Sequence, residues 1–362
     1  MKNNQLIVSA PGRICLFGEH LDYLGLQVIT AAIDLRIRIS GQKRDGNEMI
    51  INLPDIGDRE VIKLERPIHY LKERDYFRSS INVLERHSVQ IDRGCQCTVT
   101  GNIPINSGTS SSSALVIAWI KFLLTMAEDQ RENDAAAIAR LAHAAEVLEF
   151  HEPGGMMDHF AAAFGGVLYI DFSAQQSLPN RLPAQLGKFV LGDSLQPKDT
   201  KAILARVKGG ALEAMKMLQN YDPTLNFLTI TLNDLESNRQ RLTPDQLRLL
   251  QAIIRNREIT EEAKRLLQQP QVKDEKLGAL LLAHQEQLRD GLQISTKKID
   301  SMIAAAMEAG ALGAKINGSG GGGCMFAYAP NDTETVAEAI ARAGGKPYIV
   351  AVDEGVRVDQ IA

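Results

Sequence analysis

Cysteine is scarce in this chain, charge is nearly balanced, and no apolar run is long enough to cross a bilayer. The four cysteines, Cys15, Cys95, Cys97 and Cys324, have neither the spacing of a disulfide framework nor that of a zinc site. Reduced thiols in a cytoplasmic protein are the expectation. A formal net charge of -4 offers no general surface for nucleic acid or membrane, and neither is expected as a partner. The longest apolar stretch, Ala114 to Met126, is cut by Lys121, and no apolar signal core follows Met1-Lys2-Asn3-Asn4-Gln5. Internal repeats, coiled-coil heptads and a low-complexity tail are also missing. What is there is 362 residues, 44% hydrophobic, enough for one large or two ordinary domains with sizeable cores.

The order of elements points to an α+β protein. Leu6-Ile7-Val8 reads as a short strand ending in a turn at Pro11-Gly12. Val28–Ile33, Arg36–Ile39 and Cys97–Thr100 read as further strands, and Asp134–Phe150 as an alanine-rich helix. Gly165–Ile170 returns to strand. The region from Asp199 to Lys276 is mostly helical, with Thr243-Pro244-Asp245-Gln246 as a capping box carrying proline at the first helical position. Helices are expected over Lys298–Ala309 and Val336–Ala343. Strands gather early and helices late, which predicts two parts, residues 1–175 and 176–362.

Three segments carry residues suited to chemistry. In Ala10–Tyr23, Arg13, Glu19, His20 and Asp22 crowd a stretch with two glycines. Carboxylates and imidazole can bind hydroxyls, and arginine is a fixed cation for phosphate or developing negative charge. The plainer alternative is a surface turn with incidental charges. The second segment, Asn102–Leu115, holds four consecutive serines directly before an apolar helix. Small residues at a helix N-terminus leave backbone N–H groups and the positive end of the helix dipole facing an anion. A serine linker is its bland reading. The third, Ala314–Met325, has five glycines in six residues (Gly318–Gly323), which permits close backbone approach to a ligand, or a hinge. Between them lies Glu152–Phe160, whose Asp158 is either a helix cap or a group orienting a nucleophilic hydroxyl.

Together these segments resemble the GHMP small-molecule kinases, and among them most closely the galactokinases. Gly12–Tyr23 is similar to the signature Gly-Arg-x-Asn-Leu-x-Gly-Glu-His-Thr-Asp-Tyr, departing at Ile14-Cys15 and Leu21. Pro104–Ser113 is similar to Pro-x-Gly-Gly-Gly-Leu-Ser-Ser-Ser-Ala, departing at Asn106, Ser107, Thr109 and Ser113. Gly155–His159 stands for Gly-Ile-Met-Asp-Gln, Gly278–Arg289 resembles a further galactokinase segment, and Gly318–Cys324 resembles the third motif. The matches follow the family's order across nearly the whole chain.

The resemblance implies a two-domain GHMP fold with its cleft between an N-terminal mixed domain and a C-terminal α+β domain. It implies transfer of the γ-phosphate of ATP to a hydroxyl, the anomeric C1 hydroxyl, of a galactose-like sugar. Asn106, Ser107, Gly108, Thr109, Ser110, Ser111, Ser112 and Ser113 would cradle the phosphates, with Ser112 and Glu146 holding Mg2+. Asp158 and Arg13 would be catalytic, and Glu19, His20, Asp22, Gly155 and Asp158 would bind the sugar. Tyr76 is a candidate for the adenine pocket. The galactokinase Tyr-x-x-Arg pattern aligns with Ile203 and Arg206, so the hydroxyl of that tyrosine is missing here, which weakens the galactose reading more than the kinase reading. Two alternatives stay open: a non-catalytic sugar and ATP sensor, and a GHMP kinase for another alcohol such as mevalonate or homoserine. A monomer or small homo-oligomer is expected.

Overall fold

A computed structural model describes residues 5–105, 108–152, 154–174, 178–197 and 200–361. Its first strand, β1 (Leu6–Phe17), is buried along nearly its whole length. The turn expected at Pro11-Gly12 is instead a shift in register between those two residues, where β1 pairs with β2 (Gln27–Lys43). Proline has no N–H to give a ladder, so it sits where the ladder is interrupted, and the strand runs on. That continuation carries Arg13 and Cys15 into the interior. β2 likewise fuses the two strands read over Val28–Ile33 and Arg36–Ile39 into one of 17 residues.

Further along are β3 (Glu48–Leu53), β4 (Asp58–Lys63), β5 (Cys95–Gly101), β6 (Val167–Asp171) and β7 (Asn180–Leu182). After them come β8 (Phe189–Asp193), β9 (Gly313–Ile316), β10 (Cys324–Tyr328), β11 (Lys346–Val350) and β12 (Arg357–Ile361). One sheet has the order β12-β1-β2-β5-β3-β4, with β6 pairing β2 and β7 pairing β6; the other is β11-β8-β10-β9. β7 and β12 lie beyond residue 175 yet pair into the first sheet. Arg36 fastens the returning segment, donating from Nη1 to Asp353 Oδ2 at 2.6 Å and from Nη2 to the Gly355 carbonyl at 2.8 Å.

Helices α2 (Ser111–Met126) and α4 (Met157–Phe164) pack on the first sheet, α1 (Tyr76–Arg86) and α3 (Ala135–His143) pack against α2, and α5 (Thr200–Gln219) opens the helical region. The capping box at Thr243 and Gln246 forms as expected, opening the helix Pro244–Leu267. The helix read over Asp134–Phe150 is divided. Asp134 caps α3 by accepting from the Ala136 and Ala137 N–H groups, and a wider π turn, Ala144–Leu148, follows it. Among the described residues no helix is long and apolar enough to cross a membrane.

α2 is apolar on almost every side, as a helix packed all round must be. Its Trp119 is 1% exposed, meets Phe77 edge-on at 5.3 Å and stacks on Phe122 at 5.7 Å. The indole N–H donates to the Phe77 carbonyl at 3.2 Å. This packing anchors the helix whose first turn reaches the cleft. Trp119→Ala is expected to cost about 3–5 kcal/mol by urea unfolding; a loss below about 1 kcal/mol would mean that the helix is held elsewhere.

Candidate active site

The cleft gathers the end of β1 and the turn after it, the first turn of α2, the first turn of α4, the start of α5 and the glycine-rich third segment. Arg13 organises it. Its Nε donates to Asp158 Oδ1 at 2.7 Å, its Nη1 donates to the Gly108 carbonyl, and its backbone N–H donates to the Thr109 carbonyl at 3.2 Å. Burial alone would raise the Asp158 carboxyl, but the charge and hydrogen bond of Arg13, with help from Ser110, hold it below the usual carboxylate range. Burial likewise opposes the Arg13 charge, and Asp158 more than restores it. Asp158 does not cap its helix: Met156 occupies the cap position and Asp158 stands in the first turn of α4.

Asp22 begins a short 3-10 turn, Asp22–Leu24. Burial, and then the negative charge of Asp158, push its carboxyl up to about 6. Two neighbouring carboxyls are thus driven apart, one kept ionised and one poised to titrate. Gly155 makes room for this: a Cβ there would lie 2.3 Å from Asp22 Oδ2.

His20 adopts a left-handed backbone with φ 65. Its Nε2 is 3.1 Å from the Ser319 carbonyl, which can only accept, so that nitrogen carries the proton. Nδ1 then accepts from the Tyr23 hydroxyl at 2.6 Å. Burial lowers the imidazole to about 4, so it is neutral near pH 7. Glu19 lines the cleft but is 2% exposed; its Oε1 accepts from Lys315, and its Oε2 has no hydrogen-bond partner. All three expected hydroxyl readers, Glu19, His20 and Asp22, line the cleft.

At the other end, Ser110 has a left-handed backbone (φ 60) and precedes α2, with no side-chain cap on the helix and no acidic residue in its first turn. The first-turn N–H groups can therefore meet an anion. Ser110, Ser111, Ser112 and Ser113 line the cleft with Gly108, while Thr109 is fully buried beneath them. Asn106 and Ser107 lie outside the described residues. The π turn brings Glu146 to the cleft, a placement typical of such turns. Its Oε2 is 2.8 Å from His159 Nε2 but forms no aligned hydrogen bond. A buried carboxylate oxygen without an aligned donor suits a cation.

Tyr76 lines the cleft with Arg74 and Glu152. Ile203 does not line it; Thr200 and Leu204 of α5 do, while Ile203 packs on Gly321, where a Cβ would meet its Cδ1 at 2.1 Å. Arg206 donates to the Leu292 and Gln293 carbonyls, both at 3.0 Å. Sequence reasoning assigned no role to Lys315, Asn317 or His284. Asn317 receives the Cys15 N–H on its Oδ1 and donates from Nδ2 to the Gly108 carbonyl, both at 2.9 Å. A lysine between Ala314 and Ile316 in an apolar strand was the one available signal, because a buried ammonium demands a partner.

Comparison with known proteins agrees with this geometry. Residues 75–166 match the GHMP kinases N-terminal domain, residues 270–349 the GHMP kinases C-terminal domain, and residues 1–43 the galactokinase galactose-binding signature. The chain is 30% identical to a mevalonate kinase of Thermococcus sibiricus, with 99% of each chain covered. It is 26% identical to a galactokinase of Mannheimia succiniciproducens, covering 99% of this chain and 96% of that one. The fold is that of Lactococcus lactis galactokinase complexed with galactose, with a TM-score of 0.84 at 21% identity over 98% of this chain and 95% of the other. The chain belongs to the GHMP kinases, phosphotransferases whose acceptor is a hydroxyl group.

Proposed function

We propose that the protein transfers the γ-phosphate of ATP to a hydroxyl, the anomeric C1 hydroxyl, of a galactose-like monosaccharide. The observation that carries this reading is the pairing of Arg13 with Asp158 beside Asp22, between a serine-lined helix N-terminus and a left-handed His20. Residues 1–175 and 176–362 are the two halves whose facing sides form the cleft. The phosphates lie along Gly108–Ser113, against the first-turn N–H groups of α2. Mg2+ bound there would offset the negative charge of the triphosphate, and Ser112 and Glu146 would hold it.

Asp158 accepts a hydrogen bond from the acceptor hydroxyl and orients its oxygen toward the γ-phosphorus. A carboxylate held at low pKa is a weak base. It therefore takes the proton late, as the new P–O bond forms, which suits a transfer that depends mainly on positioning and charge neutralisation. Arg13 limits the negative charge that gathers between Asp158 and the phosphate. Asp22 accepts from a second hydroxyl and Gly155 lets the ring approach. Asp158→Asn and Arg13→Ala are each expected to lower turnover ~10²-fold or more in folded protein. Turnover within threefold of the unaltered enzyme, with an unchanged circular dichroism spectrum, would remove Asp158 from the reaction.

A mevalonate kinase is the second reading, favoured by the 30% identity across the chain. Mevalonate brings a carboxylate, which calls for an unspent cation. Among the described residues, the two arginines lining the cleft are both spent: Arg13 on Asp158, and Arg74 on Glu152, to which it donates at 2.9 and 2.8 Å. Two acidic side chains, Asp22 and Asp158, face the same space, which favours a neutral polyol. ADP release over a panel of hexoses, pentoses, uronic acids, N-acetyl sugars and mevalonate decides. Galactose or a close neutral relative is expected to lead. Mevalonate in the lead would overturn the sugar assignment, and no turnover with any acceptor would favour a sensor.

A further inference from the structure

A buried ion pair runs from the wall of the cleft, at Glu19, into the interior, and the reaction described above does not use it. Lys315, in β9 of the second sheet, is wholly buried. Its Nζ donates to Glu19 Oε1, to the Cys15 carbonyl at 2.9 Å and to the Ile316 carbonyl at 2.8 Å, so all three ammonium hydrogens are used. It also lies 4.9 Å from the centre of the Phe326 ring. The other Glu19 oxygen lies 3.7 Å from Nδ1 of His284 without a hydrogen bond between them, and His284 is fully buried and stacks on Phe17 at 5.8 Å. Burial and the Lys315 charge keep that imidazole neutral.

Desolvating two charges offsets most of what their attraction returns, so such a pair adds little stability over an apolar pair of similar volume. Its contribution is geometric. Cys15 and Glu19 belong to the signature segment, and Lys315 belongs to the third. Immediately after Glu19 comes His20, whose left-handed backbone a non-glycine residue adopts only when its surroundings enforce it. His20 in turn bridges Tyr23 and the Ser319 carbonyl, four residues beyond Lys315.

We propose that Glu19, Lys315 and His284 form a positioning unit and not a sugar contact: Lys315 holds the Glu19 carboxylate, which sets His20 and closes the signature segment against the glycine-rich segment. Glu19 acts on the acceptor through His20 and through the wall of the cleft, not through a hydroxyl. The proposal rests on the phosphotransferase reading but not on which sugar is the acceptor.

The test is a double-mutant cycle on the full chain, made from Glu19→Gln, Lys315→Met and the two combined. Urea midpoints are measured together with kcat and KM for galactose and ATP. Lys315→Met strands a buried carboxylate, and is expected to lower the midpoint most and to reduce kcat/KM for galactose ~10²-fold. The combined variant is expected to recover at least about tenfold of that loss and most of the midpoint, a coupling of the size that contacting groups show. A direct hydroxyl contact predicts otherwise: Glu19→Gln would raise the galactose KM tenfold or more, and the combined variant would keep that rise. That result, or additive losses in the cycle, overturns the proposal. Should Lys315→Met fail to fold, Glu19→Gln alone decides: a lowered urea midpoint with the galactose KM kept within about threefold supports positioning, and a raised KM with an unchanged midpoint contradicts it. If the unaltered enzyme does not phosphorylate galactose, the sugar reading fails at that step, and the urea cycle still reports on the unit.

Discussion

A guanidinium buried at the end of a strand must have its charge answered, and the way Arg13 is answered shapes this cleft. Its side chain spans from Asp158 on α4 to the Gly108 carbonyl before α2. The loop before α2 and the Asp158 carboxylate are therefore fixed relative to one another by one rigid, forked group, which is the geometry arginine supplies and lysine does not. The same charge keeps Asp158 ionised in a setting where burial would protonate it. That negative charge then acts with burial to raise Asp22. Three properties of the cleft thus follow from one side chain.

Arg13 reaches this position because β1 does not turn at Pro11-Gly12. The register shift there lets a proline stand in a central strand, and the strand continues to Phe17. β12 pairs with the same strand, and Asn317 ties its Cys15 to Gly108 in the loop before α2. The third glycine-rich segment is therefore a wall of the site, braced by hydrogen bonds across the two sheets, and a free hinge is not what the geometry describes. Shared fold alone would leave the chemistry open, since GHMP kinases act on different alcohols. The lining of the cleft bears on the acceptor: the carboxyls of Asp22 and Asp158 face it, and both lining arginines are paired, Arg13 with Asp158 and Arg74 with Glu152.

The parts legible in the sequence were local in it. The serine run before an apolar helix, the charged cluster after Gly12 and the Gly155–Asp158 turn each stand out within a few residues, and all three line the cleft. The capping box at Thr243 was equally plain. What sequence reading missed was either non-local or a matter of backbone detail. The ion pair of Glu19 with Lys315 spans 296 residues, and nothing near Glu19 in the sequence hints at it. The Asp134–Phe150 pattern read as one helix because a π turn leaves apolar spacing nearly intact while rotating Glu146 toward the cleft. A turn was expected at Pro11-Gly12 because that dipeptide usually makes one, and only the neighbouring strands turn it into an interruption of register.

The central claim is that one arginine separates two adjacent carboxyls into an ionised group and a titrating one. Carbon-13 NMR of protein labelled at aspartate side-chain carboxyls, with Asp22 and Asp158 assigned from Asp22→Asn and Asp158→Asn, measures this without substrate. The account predicts that the Asp22 carboxyl titrates near 6 and the Asp158 carboxyl below 3.8, its ordinary value. Asp158 titrating above Asp22, or the two titrating together at ordinary carboxylate values, would contradict it.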